Sequence, residues 1–243
     1  MKLTTTEMGG LTTRVVDALD GEPSLAVIIC HGFGAPGTDL VPLGQGMLQA
    51  SGKLAGAARF YFPEGPLDLS SIGMWGSRAW WEIDIEALNR AMADNTFRER
   101  ARNDRPEGLL EARTAVLKLV EEVKAETGLP TSRIVLGGFS QGSMVTMDVA
   151  LQLDENPAAL IAWSGTLLNE NEWRERGKLH QGLKVLQSHG RQDALLSFAW
   201  AEDLRDLLIE IGCHVEFIPF NGPHTVAEES LVRTIALLES VIE

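Results

Sequence analysis

The sequence predicts an α/β protein with a mostly parallel central sheet flanked by helices. Short apolar runs recur along the 243 residues and alternate with longer amphipathic stretches. Most of these runs are apolar on both faces, which is typical of strands buried in a parallel sheet. Parallel strands need crossover connections, and crossover helices cover both faces of such a sheet.

The strands and helices are predicted from these apolar runs and from the residues that typically begin or end a helix. The clearest helix covers residues 107–127, where apolar residues three or four positions apart share one face and Gly128 and Pro130 then end the pattern. Further helices are predicted at residues 141–153, 198–211 and 226–242. The predicted strands are residues 13–19, 26–30, 59–62, 134–137, 160–163, 185–188 and 215–219.

Residues 65–106 interrupt the alternation, because they separate two strands by more than a crossover needs. The segment holds Trp75, Trp80 and Trp81, and residues 79–95 are predicted to be helical. Such an excursion can form a pocket wall or a partial lid. Alternatively, its tryptophans pack against its own base. We predict one domain over residues 1–243 with this segment as an insertion.

Composition excludes several classes of protein. Lys plus Arg is 21 against 34 for Asp plus Glu, so the net charge is -13, and no basic block is present to neutralise nucleic-acid phosphates. The first ten residues lack the apolar core of a signal peptide. No apolar run approaches the roughly 20 residues of a membrane span. We therefore expect a cytoplasmic protein with no nucleic-acid partner and no stable membrane insertion.

The two cysteines, Cys30 and Cys213, both lie in apolar stretches that resemble strands. Two thiols cannot form a disulfide framework, and buried free thiols are the simpler interpretation. A cysteine metal site needs more ligands than these. The sequence therefore predicts neither a metal ion nor a cofactor.

Residues 138–142, Gly-Phe-Ser-Gln-Gly, follow one predicted strand and open the next predicted helix. In that context Gly-x-Ser-x-Gly is typical of a nucleophile elbow. The sharp turn strains the backbone of Ser140 and projects its Oγ above the sheet. Small neighbours are needed because helix and strand approach closely there. The alternative is an ordinary glycine-rich turn.

A serine nucleophile needs a base, and the base needs an orienting acid. His224 follows the last predicted strand and Asp193 follows the strand at residues 185–188. Both therefore belong to the sheet edge where Ser140 is expected. The chain order Ser140, Asp193, His224 is that of α/β-hydrolase triads. Taken alone, Asp193 could instead cap the helix that begins near Leu196.

The glycine-rich loop at residues 31–37 supplies the remaining part of such a site. It follows the strand at residues 26–30 and can bring backbone close to a substrate. The N–H groups of Phe33 and Gln141 are the candidate oxyanion donors. A phosphate-binding loop is excluded, because neither Gly-Lys-Ser/Thr nor Gly-x-Gly-x-x-Gly is present.

Residues 27–37, 137–143, 188–193 and 222–225 together resemble the phospholipase/carboxylesterase branch of the α/β-hydrolases, which includes the acyl-protein thioesterases. The resemblance implies an α/β-hydrolase fold. It also implies that Ser140 is the nucleophile, Asp193 the acid and His224 the base, with Phe33 and Gln141 as oxyanion donors. The chain differs from the better-known thioesterases in its acidic, Arg-rich residues 84–105 and in having Trp-Trp-Glu-Ile-Asp where they tend to have Trp-Phe-Asp.

We therefore predict a metal-independent serine carboxylesterase that acts on short or medium acyl chains through an acyl-enzyme. About twenty residues separate Ser164 from Val185, too few for a large cap domain, so the site is expected to be open. The predicted pocket wall consists of Gly32, Leu67, Trp75, Trp80, Trp81 and Leu195.

Three alternatives stay open at this point. A lysophospholipase or an acyl-protein thioesterase would act on long acyl chains. The same triad could also cleave a lactone or a carbon–carbon bond. A non-catalytic binding protein could use the same scaffold, because fold does not fix function. The expected partner is a small-molecule or lipid acyl ester, and a homodimer is left open.

Overall fold

The computed structural model describes residues 1–83, 102–103 and 105–242. Its strands are β1 (Lys2–Met8), β2 (Leu11–Asp17), β3 (Leu25–Cys30), β4 (Ala58–Pro63), β5 (Leu67–Asp68), β6 (Arg78–Ala79), β7 (Ile134–Phe139), β8 (Ala159–Trp163), β9 (Lys184–Gly190) and β10 (His214–Phe220). The central sheet has eight strands in the order β1-β2-β4-β3-β7-β8-β9-β10, and β5 and β6 form a separate antiparallel pair. Within the central sheet, pairings β1–β2 and β2–β4 are antiparallel and the others are parallel, which confirms the predicted mostly parallel sheet.

Helices cover both faces of the sheet. They are α1 (Val41–Ala50), α2 (Gly52–Ala55), α3 (Leu109–Thr127), α4 (Gln141–Ala150), α5 (Glu170–Gly177), α6 (Phe198–Glu210) and α7 (Glu228–Ile242). Buried side chains of α3, α4, α5 and α6 belong to one apolar cluster, and those of α1, α2 and α7 belong to the other. Strand β3 divides its side chains between the two, with Ile28 in the first cluster and Ile29 in the second. The apolar run therefore reflects burial on both faces.

The sequence prediction missed β1, which pairs with β2 through a turn at Gly9 and Gly10. Six of the seven β1 residues are exposed, so the strand lacks the apolar pattern on which the prediction relied. It also missed α1, α2 and α5. The polar sequence of α5, residues 170–177, offers little helical periodicity.

The prediction of a helix at residues 79–95 is wrong for residues 79–83. Arg78–Ala79 forms β6, which pairs with β5, and residues 80–83 are not helical. Residues 84–95 lie outside the described residues. The single domain over residues 1–243 and the pocket-wall or lid role of residues 65–106 both stay predictions. None of the described helices is long and apolar enough to cross a membrane.

Candidate active site

Ser140 occupies the sharp turn between β7 and α4 with φ 55° and ψ −121°. Such a conformation costs a non-glycine residue about 1–3 kcal/mol and persists only where its surroundings enforce it. The Ser140 N–H donates to Trp163 O at 2.8 Å, and its carbonyl accepts from Ser143 Oγ at 2.8 Å. Strand β8, through Trp163, and helix α4, through Ser143, therefore hold the backbone of Ser140 in place.

The glycine at position 142 lets α4 approach the end of β3. A Cβ on Gly142 would lie 2.0 Å from Cys30 O and 2.5 Å from His31 O. Both atoms belong to backbone and cannot swing aside. The close approach brings the start of α4 against the loop after β3.

We predict that Gly142→Ala destabilises the fold by about 3 kcal/mol, the upper end of the usual cost of overpacking. The free energy of unfolding in urea measures this. Gly46→Ala is the matched control, since Gly46 also lies in a helix and a Cβ added to it would meet nothing within 4 Å. The control should be neutral or stabilising by up to about 1 kcal/mol. Equal stabilities of the two variants would contradict the close approach.

Asp193 and His224 lie on the loops after β9 and β10 and are in direct contact. His224 Nδ1 is 2.6 Å from Asp193 Oδ2, and the carboxylate side chain is fully buried. Asp193 Oδ1 accepts from the N–H groups of Leu195 and Leu196 at 2.9 Å and 2.8 Å. Burial opposes ionisation of Asp193. The hydrogen bonds from His189, His224 and Leu196 outweigh it and hold the Asp193 pKa well below its usual range.

The His224 ring packs beside the elbow, with its centroid 4.7 Å from that of Phe139. Its side chain is 13% exposed, so the ring can be reached from solvent. Among the described residues no hydrogen bond joins Ser140 Oγ to His224. Hydrogen bonds between nucleophile and base are often long in unliganded enzymes and shorten when substrate binds.

Ser164 supports the loop that carries His224. It follows β8 with φ 50°, and its buried hydroxyl donates to Thr225 O at 3.0 Å. The loop is also held by Gln192 N–H, which donates to Gly222 O at 3.0 Å. The supporting role of Ser164 could not be predicted from the sequence, because a strained serine after a strand carries no motif of its own.

The loop after β3 lies directly against Ser140. A Cβ on Gly32 would be 3.3 Å from Ser140 Cβ. Within the described part of the chain, neither Phe33 N–H nor Gln141 N–H has an acceptor. Free N–H groups beside a serine and at a helix N-terminus can stabilise an oxyanion.

The His31 ring holds the loop after β3 in its conformation through a polar contact at each ring nitrogen. Its Nε2 accepts from Gly65 N–H at 2.9 Å, and its Nδ1 lies 2.8 Å from Gly32 O. Burial lowers the His31 pKa. The ring is therefore neutral with its proton on Nδ1, and it connects the glycine-rich loop to the segment after β4.

The Gln141 side chain attaches residues 80–81, called the tryptophan segment below, to the turn at Ser140. Its Oε1 accepts from Trp80 N–H and its Nε2 donates to Trp81 O, both at 2.9 Å. Trp80 Nε1 in turn donates to His31 O at 2.8 Å. The side chain of Gln141 thus holds the tryptophan segment against both candidate oxyanion loops, a function that no local sequence pattern indicates.

The predicted pocket-wall residues have different environments. Trp80 and Trp81 are 2% and 4% exposed and belong to the core cluster on the α3 side. Trp75 is 82% exposed, Leu195 is 53% exposed, and Leu67 is half-buried in β5. Gly32 lies beside Ser140, since a Cβ added to it would be 3.3 Å from Ser140 Cβ. Across the described residues, no group of three or more His, Cys, Asp or Glu could hold a metal ion.

Comparison with known proteins gives a consistent set of relatives. The sequence model of the Phospholipase/Carboxylesterase family matches residues 11–242. Acyl-protein thioesterase 1 of Eremothecium gossypii is 32% identical over 180 residues, covering 73% of this chain and 69% of its own length. Its counterpart in Candida albicans is 23% identical over 225 residues, covering 90% and 92%.

Solved structures show the same architecture. The esterase PE8 superposes with a TM-score of 0.79 at 25% identity, over 99% of this chain and 100% of that one. SOBER1 of Arabidopsis thaliana superposes with a TM-score of 0.71 at 21% identity, over 90% and 99%. The fold is that of the α/β-hydrolase esterases, as predicted from the motifs.

Proposed function

Since the chain belongs to the phospholipase/carboxylesterase family, a family of hydrolases that act on esters, we propose that it works through a Ser140–His224–Asp193 triad. The observation that carries the proposal is the 2.6 Å contact of His224 Nδ1 with a buried Asp193 carboxylate, beside a strained serine at the start of a helix. An ion pair that only stabilised the protein surface would not be expected beside a strained serine turn.

In the proposed reaction Ser140 Oγ attacks the acyl carbonyl while His224 Nε2 takes its proton. Asp193 accepts from His224 Nδ1–H and stabilises the imidazolium that forms. The N–H groups of Phe33 and Gln141 donate to the oxyanion of the tetrahedral intermediate. His224 then protonates the leaving group, and water activated by His224 releases the acid from the acyl-enzyme.

The proposed substrates are carboxylic esters with short or medium acyl chains. Only α5 and its flanking loops connect β8 to β9, so no cap at this place encloses a long chain. The second candidate is an acyl-protein thioesterase or lysophospholipase that takes long acyl chains. It is favoured by the similarity to the two fungal proteins named acyl-protein thioesterase 1.

Labelling with a fluorophosphonate tests the mechanism. Because the probe needs a serine activated by a base, wild-type protein should be modified at Ser140 and the folded Ser140→Ala variant should not be modified. Peptide mapping by mass spectrometry locates the adduct. A folded, unlabelled wild-type protein would instead favour a non-catalytic binding protein on the same scaffold.

A series of p-nitrophenyl esters from acetate to palmitate, with matched thioesters, separates the two substrate classes. We expect kcat/KM to reach its maximum at butyrate or at a medium chain and to rise no further toward palmitate, because an open site gains little from further methylenes. A rate that rises steadily to palmitate, or a strong preference for thioesters, would favour the long-chain candidate instead.

A further inference from the structure

His189, at the end of β9, is a fully buried histidine that the triad does not include. Its Nε2 lies 2.8 Å from Leu196 O and 3.2 Å from Asp193 Oδ2. Both partners are hydrogen-bond acceptors in the ionised site. Nε2 therefore carries the proton, which bonds to Leu196 O and lies within reach of the carboxylate.

The other ring nitrogen fixes the protonation state. His189 Nδ1 is buried and has no hydrogen-bond partner among the described residues. A proton on Nδ1 would be a buried donor without an acceptor, which is costly. The geometry therefore requires the neutral ring with its proton on Nε2.

We propose that His189 is a positioning residue of the hydrolase, an inference that rests on the proposed triad. Its Nε2–H donates to Asp193 Oδ2, the same oxygen that accepts from His224 Nδ1–H. With Oδ1 held by Leu195 N–H and Leu196 N–H, the carboxylate cannot rotate away from His224. The second donor also reduces the negative charge that Oδ2 presents to the base.

The ring itself is held in place on several sides. Leu196 O anchors Nε2, and the Phe198 ring at the start of α6 contacts His189 edge-on with centroids 6.2 Å apart. The Arg191 guanidinium lies 4.8 Å from the centroid of that same Phe198 ring. Among the described residues, the charged and titratable groups recorded next to His189 and Asp193 are His224, in contact with Asp193, and Arg191, across the Phe198 ring.

Two variants separate the donor from the volume of the ring. His189→Gln can place an amide N–H near the position of Nε2, whereas His189→Met fills similar space with no donor. For His189→Met we expect kcat on p-nitrophenyl butyrate to fall roughly 10- to 100-fold with little change in KM, as for loss of a hydrogen bond to a charged group. His189→Gln should recover most of this loss.

The pH profile distinguishes positioning from a merely structural role. Without the second donor, Asp193 presents more negative charge to His224, so the imidazolium is stabilised. The acidic limb of kcat/KM should therefore move to higher pH in His189→Met and return toward wild type in His189→Gln. An unmoved profile in His189→Met, with unchanged kcat per fluorophosphonate-labelled site, would overturn the inference.

A measurement on the unaltered protein covers the case in which the variants do not fold. Nitrogen-15 NMR of the histidine rings reports which nitrogen carries the proton, and His189 should be the neutral Nε2–H form. An Nδ1–H form would overturn the inference. Failure of the proposed triad is distinguishable, because wild-type Ser140 would then resist labelling whatever the tautomer of His189.

Discussion

Ser140→Ala lowers kcat/KM for p-nitrophenyl butyrate by roughly 10⁴- to 10⁶-fold in our expectation, because removal of a triad nucleophile leaves only the oxyanion donors and substrate binding. The fold should persist. Alanine is strained at φ 55° about as much as serine is, and the Ser140 backbone hydrogen bonds do not use its hydroxyl. Circular dichroism and urea unfolding measure the stability, and initial rates measure the activity.

The control for this variant is another serine, placed away from the site. Ser132→Ala changes an exposed residue in the turn before β7 and should leave both activity and stability close to wild type. If Ser140→Ala keeps activity within tenfold of wild type, the nucleophile is a different group. A loss of activity accompanied by unfolding would mean that the elbow depends on the hydroxyl for its structure.

The residues of the candidate triad could be proposed from sequence because each lies on the turn or loop after a parallel strand: Ser140 follows β7, Asp193 follows β9 and His224 follows β10. Parallel strands end at one edge of the sheet, so residues that are distant in sequence converge there. The contact between Asp193 and His224, 31 positions apart, is a consequence of that geometry. Motif and strand order together therefore predicted the contact of Asp193 with His224, while the part of Ser140 in the triad stays a proposal.

The features that could not be predicted from the sequence depend on contacts between particular side chains. The Gln141 side chain reaches back 61 positions to Trp80, and this contact leaves no periodic signal. Because the backbone of Trp80 and Trp81 is held by that amide, a helical pattern in the sequence does not become a helix there. The 3.2 Å approach of His189 Nε2 to Asp193 Oδ2 is equally invisible, since the same motif would fit a histidine that points elsewhere.

Asp148 is another residue whose environment the sequence does not indicate. It lies in α4 with its carboxylate fully buried, although an aspartate in an amphipathic helix ordinarily faces solvent. Arg113 of α3 contacts both carboxylate oxygens, at 2.5 Å and 2.9 Å. Trp173 Nε1 of α5 donates to the same carboxylate at 2.8 Å. Three helices thus meet at one buried charge.

Arg113→Met is therefore expected to lower the free energy of unfolding by about 3–5 kcal/mol, because it leaves the buried Asp148 carboxylate without its cation. Trp173 N–H alone cannot compensate a buried ionised group. Urea unfolding monitored by tryptophan fluorescence measures the loss. The candidate active site lies on loops at the sheet edge, so kcat of the protein that stays folded should change little.

Lys118→Met in the same helix is the matched control. Lys118 pairs with Glu122 at 3.8 Å across the surface of α3, with side chains 65% and 40% exposed, so its loss should cost no more than about 0.5 kcal/mol. The double variant Arg113→Met with Asp148→Leu should recover part of the stability, because no unpaired carboxylate is then buried, although Trp173 Nε1 loses its acceptor. If Arg113→Met is as mild as Lys118→Met, or if the double variant is no more stable than the single one, the unpaired buried charge is not the cause of the loss.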